Sequence, residues 1–172
     1  MLTLIATSTF GLEAIVKREV QNLGYKIIKT EDGKVTYEGD LAAIARSNLW
    51  LRSADRVLLR LGEFKATSFE ELFEETKALP WGDWITEDGI FTVNGSSVKS
   101  KLFSVPDCQS IVKKAIVEKL KEKYKTSWFE ESGAEYTVKV TLLKDTATLT
   151  IDTSQYVSYS FSSLYNYYVC FV

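Results

Sequence analysis

The order of strand-like and helix-like segments in residues 1–65 constrains the fold of this chain more than any other feature. Two amphipathic helical patterns interrupt four short apolar segments, and turn residues separate them. Asp32-Gly33 lies between two of the apolar segments and is a strong hairpin signal. The resulting strand, helix, strand, strand, helix, strand order is that of the ferredoxin-like split βαβ motif. We therefore predict a ferredoxin-like subdomain over residues 1–65.

The two helices of this subdomain are placed by their helical periodicity. Thr9 is the expected N-cap of the first helix, and Gly24 is expected to end that helix in the left-handed conformation. Asp40 is the expected N-cap of the second helix. The side chains expected to face the core are Leu12, Ile15, Val16, Val20 and Leu23 in the first helix, and Leu41, Ile44, Ala45 and Leu49 in the second.

A second unit begins at residue 66. Ser68 and Glu71 form a capping-box pattern at the start of a helix, and Pro106 suits the first turn of a long helix. Apolar and polar residues alternate from residue 135 to residue 142, which is typical of a half-buried strand. We therefore predict an α+β chain, in which an α/β domain over residues 66–154 follows the ferredoxin-like subdomain.

The last 18 residues differ in composition from the rest of the chain. Residues 155–172 contain five tyrosines and two phenylalanines but no charged residue. Three interpretations are open: a hydrophobic anchor, a strand pair added to the sheet, or out-of-frame or truncated coding. Polar residues are too frequent for a segment in hydrocarbon. We favour the third interpretation and predict an irregular aromatic tail from residue 155 onward.

The composition excludes most kinds of active site. The chain contains no histidine, which is the commonest general base and a frequent metal ligand. No GxGxxG or GxxxxGK[ST] motif is present to hold a phosphate-containing cofactor. We predict no catalytic residue, no metal site and no membrane-spanning segment. The two cysteines, Cys108 and Cys170, form no CxxC pair, and this favours a reducing, cytoplasmic location.

Charge is distributed unevenly along the second unit, although the net charge of the whole chain is only −2. Residues 66–91 contain seven acidic residues and one lysine, whereas residues 96–125 contain eight lysines and three acidic residues. Screening confines electrostatic fields to about 10 Å, so a local basic patch can bind phosphate even in an acidic protein. The alternative is an ordinary solvated lysine face.

The candidate RNA-binding residues surround the start of the long helix, because a helix N-terminus attracts phosphate through its free N–H groups and its dipole. Lysine, serine and glutamine side chains can contact phosphate and sugar oxygens there. These residues are Ser97, Lys99, Ser100, Lys101, Gln109, Lys113 and Lys114. Arg52 and Arg56 belong to a second basic cluster. The four tryptophans could stack on bases, although each is more often a core residue.

Several segments resemble a THUMP domain. They are residues 53–60, 69–73, 79–81 and 98–116, and the last, VKSKLFSVPDCQSIVKKAI, is the most specific. Residues 1–154 as a whole are similar to the N-terminal half of bacterial 23S ribosomal RNA guanine-N2 methyltransferases. In that family the THUMP domain is usually drawn to include more of the chain, here from about residue 43 to residue 154.

The resemblance implies a division of labour between RNA binding and catalysis. Residues 1–154 would dock structured RNA, with large-subunit rRNA as the partner, for a Rossmann-like domain that binds S-adenosylmethionine. That domain carries a glycine-rich loop and an Asn-Pro-Pro-Tyr-type tetrapeptide, and this chain contains neither. We expect a truncated, monomeric module that binds no cofactor and is inactive alone. The alternatives are a complete enzyme, or a remnant or protein-interaction domain that binds no RNA.

Overall fold

A computed structural model of the chain describes residues 1–154. The tail predicted for residues 155–172 lies outside the described residues. The described strands are β1 (Leu2–Thr7), β2 (Lys26–Glu31), β3 (Lys34–Gly39), β4 (Arg56–Lys65), β5 (Ile90–Val98), β6 (Glu135–Leu143) and β7 (Thr146–Asp152). The helices are α1 (Glu13–Asn22), α2 (Leu41–Trp50), α3 (Phe69–Ala78) and α4 (Val105–Tyr124). The predicted α+β class is confirmed.

The described residues divide into two compact units. The first contains Met1–Leu59 together with the described residues from Asp152 onward, and the second contains Arg60–Ile151. Within residues 1–154, no helix combines the length and the apolar composition needed to cross a bilayer.

The first unit has the strand order of a ferredoxin-like fold. Its strands are ordered β2-β3-β1-β4, and β1 and β3 are antiparallel, with Leu2 opposite Gly39. Val16 and Val20 of α1 are fully buried. Gly24, directly after α1, has a φ of +87°, in the left-handed region that glycine tolerates. The predicted βαββαβ arrangement is therefore confirmed.

The start of α1 differs from the prediction. Thr9 does not cap this helix, which begins at Glu13 after Leu12 and has no side-chain cap. Instead, the Glu13 carboxylate accepts hydrogen bonds from Gly33 N at 2.8 Å and from Gly11 N at 2.9 Å. These donors, chiefly the N–H of Gly33, lower the pKa of Glu13. One carboxylate thus ties the loop before α1 to the β2–β3 turn.

The exposed side of α2 also differs from the prediction. Asp40 caps the helix as expected and accepts a hydrogen bond from a backbone N–H of the first turn at 2.8 Å. The predicted core-facing side is wrong, however, because Leu41 and Leu49 are 55% and 53% exposed. The buried side carries Ser47, whose hydroxyl accepts a hydrogen bond from Tyr37 Oη at 2.7 Å. The side of α2 that faces the sheet therefore carries this polar contact, whereas Leu41 and Leu49 lie on the exposed side.

The second unit contains a parallel strand pair. Its strands are ordered β4-β7-β6-β5, and β5 and β6 are parallel, with Ile90 opposite Glu135. Parallel neighbours need a crossover connection, and α4 lies in that connection. The predicted capping box of α3 is confirmed: Ser68 Oγ accepts a hydrogen bond from Glu71 N, and Glu71 accepts one from Ser68 N. α3 packs against α4, and Trp81, just after α3, is fully buried.

Candidate nucleic-acid interface

The loop between β5 and α4 is held in place by hydrogen bonds. We call residues 99–104 the basic loop. Ser100 Oγ donates to Val98 O at 3.1 Å and accepts from Asp145 N at 3.0 Å. The Asp145 carboxylate in turn accepts a hydrogen bond from Lys101 N at 2.7 Å. The basic loop is thereby fixed to the turn between β6 and β7.

A second anchor holds the far side of the basic loop. Ser97 Oγ donates a hydrogen bond to Leu102 O at 2.7 Å, and the Leu102 side chain is buried. Lys99 has a φ of 51°, in the left-handed region, so the backbone turns sharply directly after β5. The hydroxyls of Ser97 and Ser100, both predicted to contact RNA, are therefore engaged in holding the loop.

The four predicted lysines are all exposed, but the structure brings them together only in part. Lys99 and Lys101 lie in the basic loop. Lys113 Nζ lies 5.8 Å from the ring centroid of Phe91 in β5. Lys114 follows about 100° around the helix, and its Nζ lies 5.8 Å from the Phe73 centroid in α3. Lys114 is thus directed toward α3, away from the side of α4 that covers β5.

Gln109 lies on the same side of α4 as Lys113. Its Cγ packs closely against Gly95 of β5. A Cβ added to this glycine would lie only 3.1 Å from the Gln109 Cγ. Positions four residues apart share one helix face. Gln109 is half-buried there, so its amide group is only partly available to a ligand.

The four lysines carry positive charge that no acidic side chain in the described part of the chain neutralises by an ion pair. Acidic side chains are nevertheless close: Asp145 accepts the hydrogen bond of Lys101 N, and Glu71 lies at the start of α3. Its pKa is lowered first by the hydrogen bond from Thr67 N, with a smaller contribution from the charge of Lys101. An anion bound at the basic loop therefore meets acidic neighbours at the start of α3 and at the β6–β7 turn.

The first turn of α4 adds a weaker attraction for anions. Ser104 occupies the N-cap position but makes no side-chain cap hydrogen bond, and Pro106 lies in the first turn. The helix dipole leaves partial positive charge at this end. Asp107 lies in the same turn and opposes that charge. The lysines are thus the main source of positive potential at this place.

One lysine near the C-terminal end of α4, Lys123, has an acidic partner. Lys123 Nζ lies 2.8 Å from Asp83 Oδ1 and donates to Gly82 O at 2.6 Å. Lys77 of α3 lies 2.7 Å from Glu122 Oε1 of α4, and this hydrogen bond raises the pKa of the lysine. Part of the charge asymmetry in the sequence is therefore complementarity within the second unit.

Arg52 and Arg56 belong to the first unit. Arg56 Nη1 donates to Asp152 Oδ2 at 2.8 Å, and the Asp152 side chain is fully buried. The carboxylate of Glu19 accepts hydrogen bonds from Arg52 N and from Ser53 N, each at 3.2 Å. Arg52 keeps an exposed side chain, whereas Arg56 is committed to a structural ion pair.

Other chemically suggestive residues have structural explanations. Cys108 is buried, and burial raises the pKa of its thiol. Among residues 1–154 no group of three or more histidine, cysteine or acidic side chains could hold a metal ion. Trp81 is a core residue, whereas Trp50 and Trp128 are 61% and 79% exposed. The prediction that tryptophans are core residues therefore holds for some of them only.

The described residues do not fit S-adenosylmethionine. A nucleotide-type cofactor in a parallel sheet binds where a strand leads into a glycine-rich loop. After β5 the chain enters the basic loop, which contains no glycine, and after β6 it enters the two-residue Lys144-Asp145 turn. Neither strand end offers a backbone cradle, so no step of methyl transfer is assigned to these residues.

Comparison with known proteins places both units in families. The RlmL ferredoxin-like domain matches residues 3–58, and the THUMP domain matches residues 66–152. The chain is 57% identical over 154 residues to a Bacillus subtilis (strain 168) protein named "Putative RNA methyltransferase YpsC". The match covers 88% of this chain and 40% of the relative.

Solved structures show the same partial coverage. A crystal structure titled as a predicted N6-adenine-specific DNA methylase from Listeria monocytogenes str. 4b F2365 is 59% identical, with a TM-score of 0.85. The structure of SMU.472, a putative methyltransferase complexed with SAH, is 43% identical, with a TM-score of 0.84. Each match covers 88% of this chain, and 40% and 41% of the respective structures. On these matches the chain belongs to the THUMP domain family and carries an RlmL ferredoxin-like domain before its THUMP domain.

Proposed function

We propose that this chain is the RNA-docking part of a methyltransferase and that its basic loop region binds the phosphate backbone of structured RNA. The observation that carries the proposal is the set of exposed lysines without ion pairs, Lys99, Lys101, Lys113 and Lys114, in and beside a hydrogen-bonded loop of a THUMP domain. Lysines that neutralise phosphates release condensed counterions, and this release supplies much of the affinity for nucleic acid.

The proposal assigns different roles to the predicted site residues. Lys99, Lys101 and Lys113 contact phosphates, with Lys114 at the α3 edge of the patch. Gln109 adds a polar contact beside Lys113. Ser97 and Ser100 keep the loop in its shape, because their hydroxyls are engaged within it.

Arg52 remains a separate candidate RNA contact within the first unit, where its side chain is exposed. Arg56 is left out of the contact surface, because its guanidinium is paired with a buried carboxylate.

The finer identity of the substrate and the reaction belongs to the longer proteins that this chain resembles. The chain spans about 40% of the length of the curated relative that it matches. We propose large-subunit rRNA as the partner and guanine N2 as the methylated position, following the family resemblance of residues 1–154. We propose that S-adenosylmethionine serves the full-length family and that the present chain is a cytoplasmic monomer. The relative whose structure contains SAH supports the choice of cofactor.

The proposal is tested with two variants that each remove four positive charges, one in and beside the basic loop and the other at the C-terminal end of α4. The site variant changes Lys99, Lys101, Lys113 and Lys114 to Gln, and the control variant changes Lys119, Lys121, Lys123 and Lys125 to Gln. We expect the site variant to lose about 100-fold in affinity for a structured rRNA fragment at 0.1 M salt. The control variant should lose much less. Fluorescence anisotropy measures both affinities, and thermal melts establish that both variants fold.

Equal losses in the two variants would mean that binding follows net charge and not the basic loop. No binding by the parent chain would support the alternative of a remnant or protein-interaction domain.

A further inference from the structure

Phe103 keeps its ring in water although the residue before it is buried. The side chain of Phe103 is 83% exposed, whereas that of Leu102 is 6% exposed. An apolar ring left in solvent forgoes the stabilisation that burial would give it. The sequence pattern did not single out Phe103, because a lone phenylalanine in a short loop has no periodicity that assigns it to a face.

The backbone that carries this ring is fixed on both sides. Phe103 N donates to Lys101 O at 3.1 Å, and Leu102 O accepts the hydrogen bond of Ser97 Oγ at 2.7 Å. On the other side, Ser104 O accepts a hydrogen bond from Cys108 N at 3.1 Å in the first turn of α4. The ring therefore projects from an ordered support, which lowers the entropic cost of binding a flat ligand.

The surroundings of Phe103 combine an aromatic face with positive charge. Lys99 and Lys101 are exposed and lie four and two residues before it in the basic loop. A nucleotide presents the complementary pair of groups, a base with a π-face and a phosphate. Stacking of a base on an aromatic side chain tolerates any base, because every base has such a face.

We propose that Phe103 stacks on an unpaired base of the bound RNA while the neighbouring phosphates lie against Lys99 and Lys101. The inference rests on the proposed RNA-binding function and specifies the ligand further. Bases inside a duplex are already stacked on both faces, so the ring can accept only a base that is unpaired or at a helix end. The site therefore selects RNA in which a single-stranded nucleotide adjoins paired RNA.

The exposed apolar area around Phe103 is small for a protein partner. Within residues 98–106 the exposed large apolar side chains are Val98, at 53%, and Phe103. A stable protein interface buries about 800 Å² on each partner. One ring beside two lysines of the same loop fits a nucleotide better than it fits a protein surface.

Three RNA probes separate stacking from phosphate contact. The first is a blunt duplex, the second is the same duplex with a four-nucleotide overhang, and the third has abasic sites in that overhang, which keep the phosphates and remove the bases. We expect Phe103→Ala to weaken binding of the second probe by about 5- to 100-fold. Binding of the blunt and abasic probes should change by less than about twofold.

Three further variants test whether the aromatic ring at position 103 is responsible for the loss of binding. Phe103→Tyr keeps an aromatic ring and should bind like the parent, whereas Phe103→Leu keeps apolar bulk and should bind like Phe103→Ala. Phe10→Ala is the matched control, because Phe10 is 77% exposed in the first unit and lies outside the basic loop. 2-Aminopurine in the overhang should be quenched by the parent chain and by Phe103→Tyr only.

The outcomes distinguish the inference from the function on which it rests. If the parent binds all three probes and Phe103→Ala binds each of them equally well, the stacking role is wrong and the lysine assignment survives. The stacking role is also wrong if Phe103→Leu binds the overhang probe like the parent, since apolar bulk without an aromatic face would then be sufficient. If the parent binds no probe, the proposed function and the stacking role both fail.

Discussion

The first unit and the basic loop use charged side chains in opposite ways. In the first unit, Glu13 and Glu19 accept backbone hydrogen bonds, and Asp152 holds Arg56. In the basic loop, the backbone is held by Asp145 and by serine hydroxyls, while the lysine side chains make no ion pair within residues 1–154. The first arrangement stabilises a fold, and the second leaves charge for a ligand.

This difference teaches that exposed basic residues need not share a role. Arg56 and Lys101 were both predicted to contact RNA, and both are exposed to solvent. A buried carboxylate beside Arg56 distinguishes them. That carboxylate lies 96 residues away along the chain, so local sequence could not reveal the pair.

The largest expected effect on stability comes from Asp152→Ala. The substitution leaves the half-exposed guanidinium of Arg56 without its partner and removes the acceptor of the Ser154 N–H. We expect the free energy of unfolding to fall by about 1–3 kcal/mol, less than for a fully buried pair. Urea denaturation measures the loss. RNA affinity at a temperature where the variant is folded should be unchanged.

Arg52→Ala is the matched control, because the Arg52 side chain is exposed. Its effect on stability should be within about 0.5 kcal/mol. The distinction between structural and ligand-facing charges would be contradicted if Asp152→Ala and Arg52→Ala were equally destabilising. It would also be contradicted if Asp152→Ala lost as much RNA affinity as the site variant.

A smaller effect is expected from the pH dependence of the first unit. The N–H groups of Gly33 and Gly11 hold the pKa of Glu13 below its ordinary value, which is about 4.3. A lowered folded-state pKa gives stability that is present above the unfolded value and is lost as the pH falls through the folded one. Glu13→Gln should therefore melt below the parent at pH 6, and the difference should shrink below about pH 4.

Thermal melts between pH 2.5 and pH 7 measure this difference. The site variant leaves Glu13 and its two backbone donors unchanged, so it should track the parent across this range. If the melting temperatures of Glu13→Gln and the parent differed by the same amount at every pH, the Glu13 carboxylate would not stabilise the fold through these hydrogen bonds.

The elements that the sequence predicted well are those with a strong local signal. The Asp32-Gly33 turn, the Asp40 cap and the Ser68 capping box each depend on neighbours within a few residues. The five buried residues of α4 also recur at helical spacing. Long periodic segments leave little doubt about which face is buried.

The failures occur where tertiary contacts override local pattern. Leu41 and Leu49 look like core residues, but the Tyr37–Ser47 hydrogen bond places the opposite side of α2 against the sheet. Likewise, the hydroxyl partners of Ser97 and Ser100 depend on the folded loop and on the distant Asp145. The sequence identified polar residues near the start of α4 as candidates. It could not show which of them make hydrogen bonds within the folded loop.

The salt dependence of RNA binding tests the central claim most directly, because the slope of log K against log salt counts the phosphates that are neutralised. We predict that changing Lys99, Lys101, Lys113 and Lys114 to Gln reduces the magnitude of this slope by about 3, at 0.7–0.9 per contact. The variant at the other end of α4 should keep nearly the parent slope. A site variant with the parent slope, or a control variant with the same reduction, would contradict the assignment of RNA binding to the basic loop.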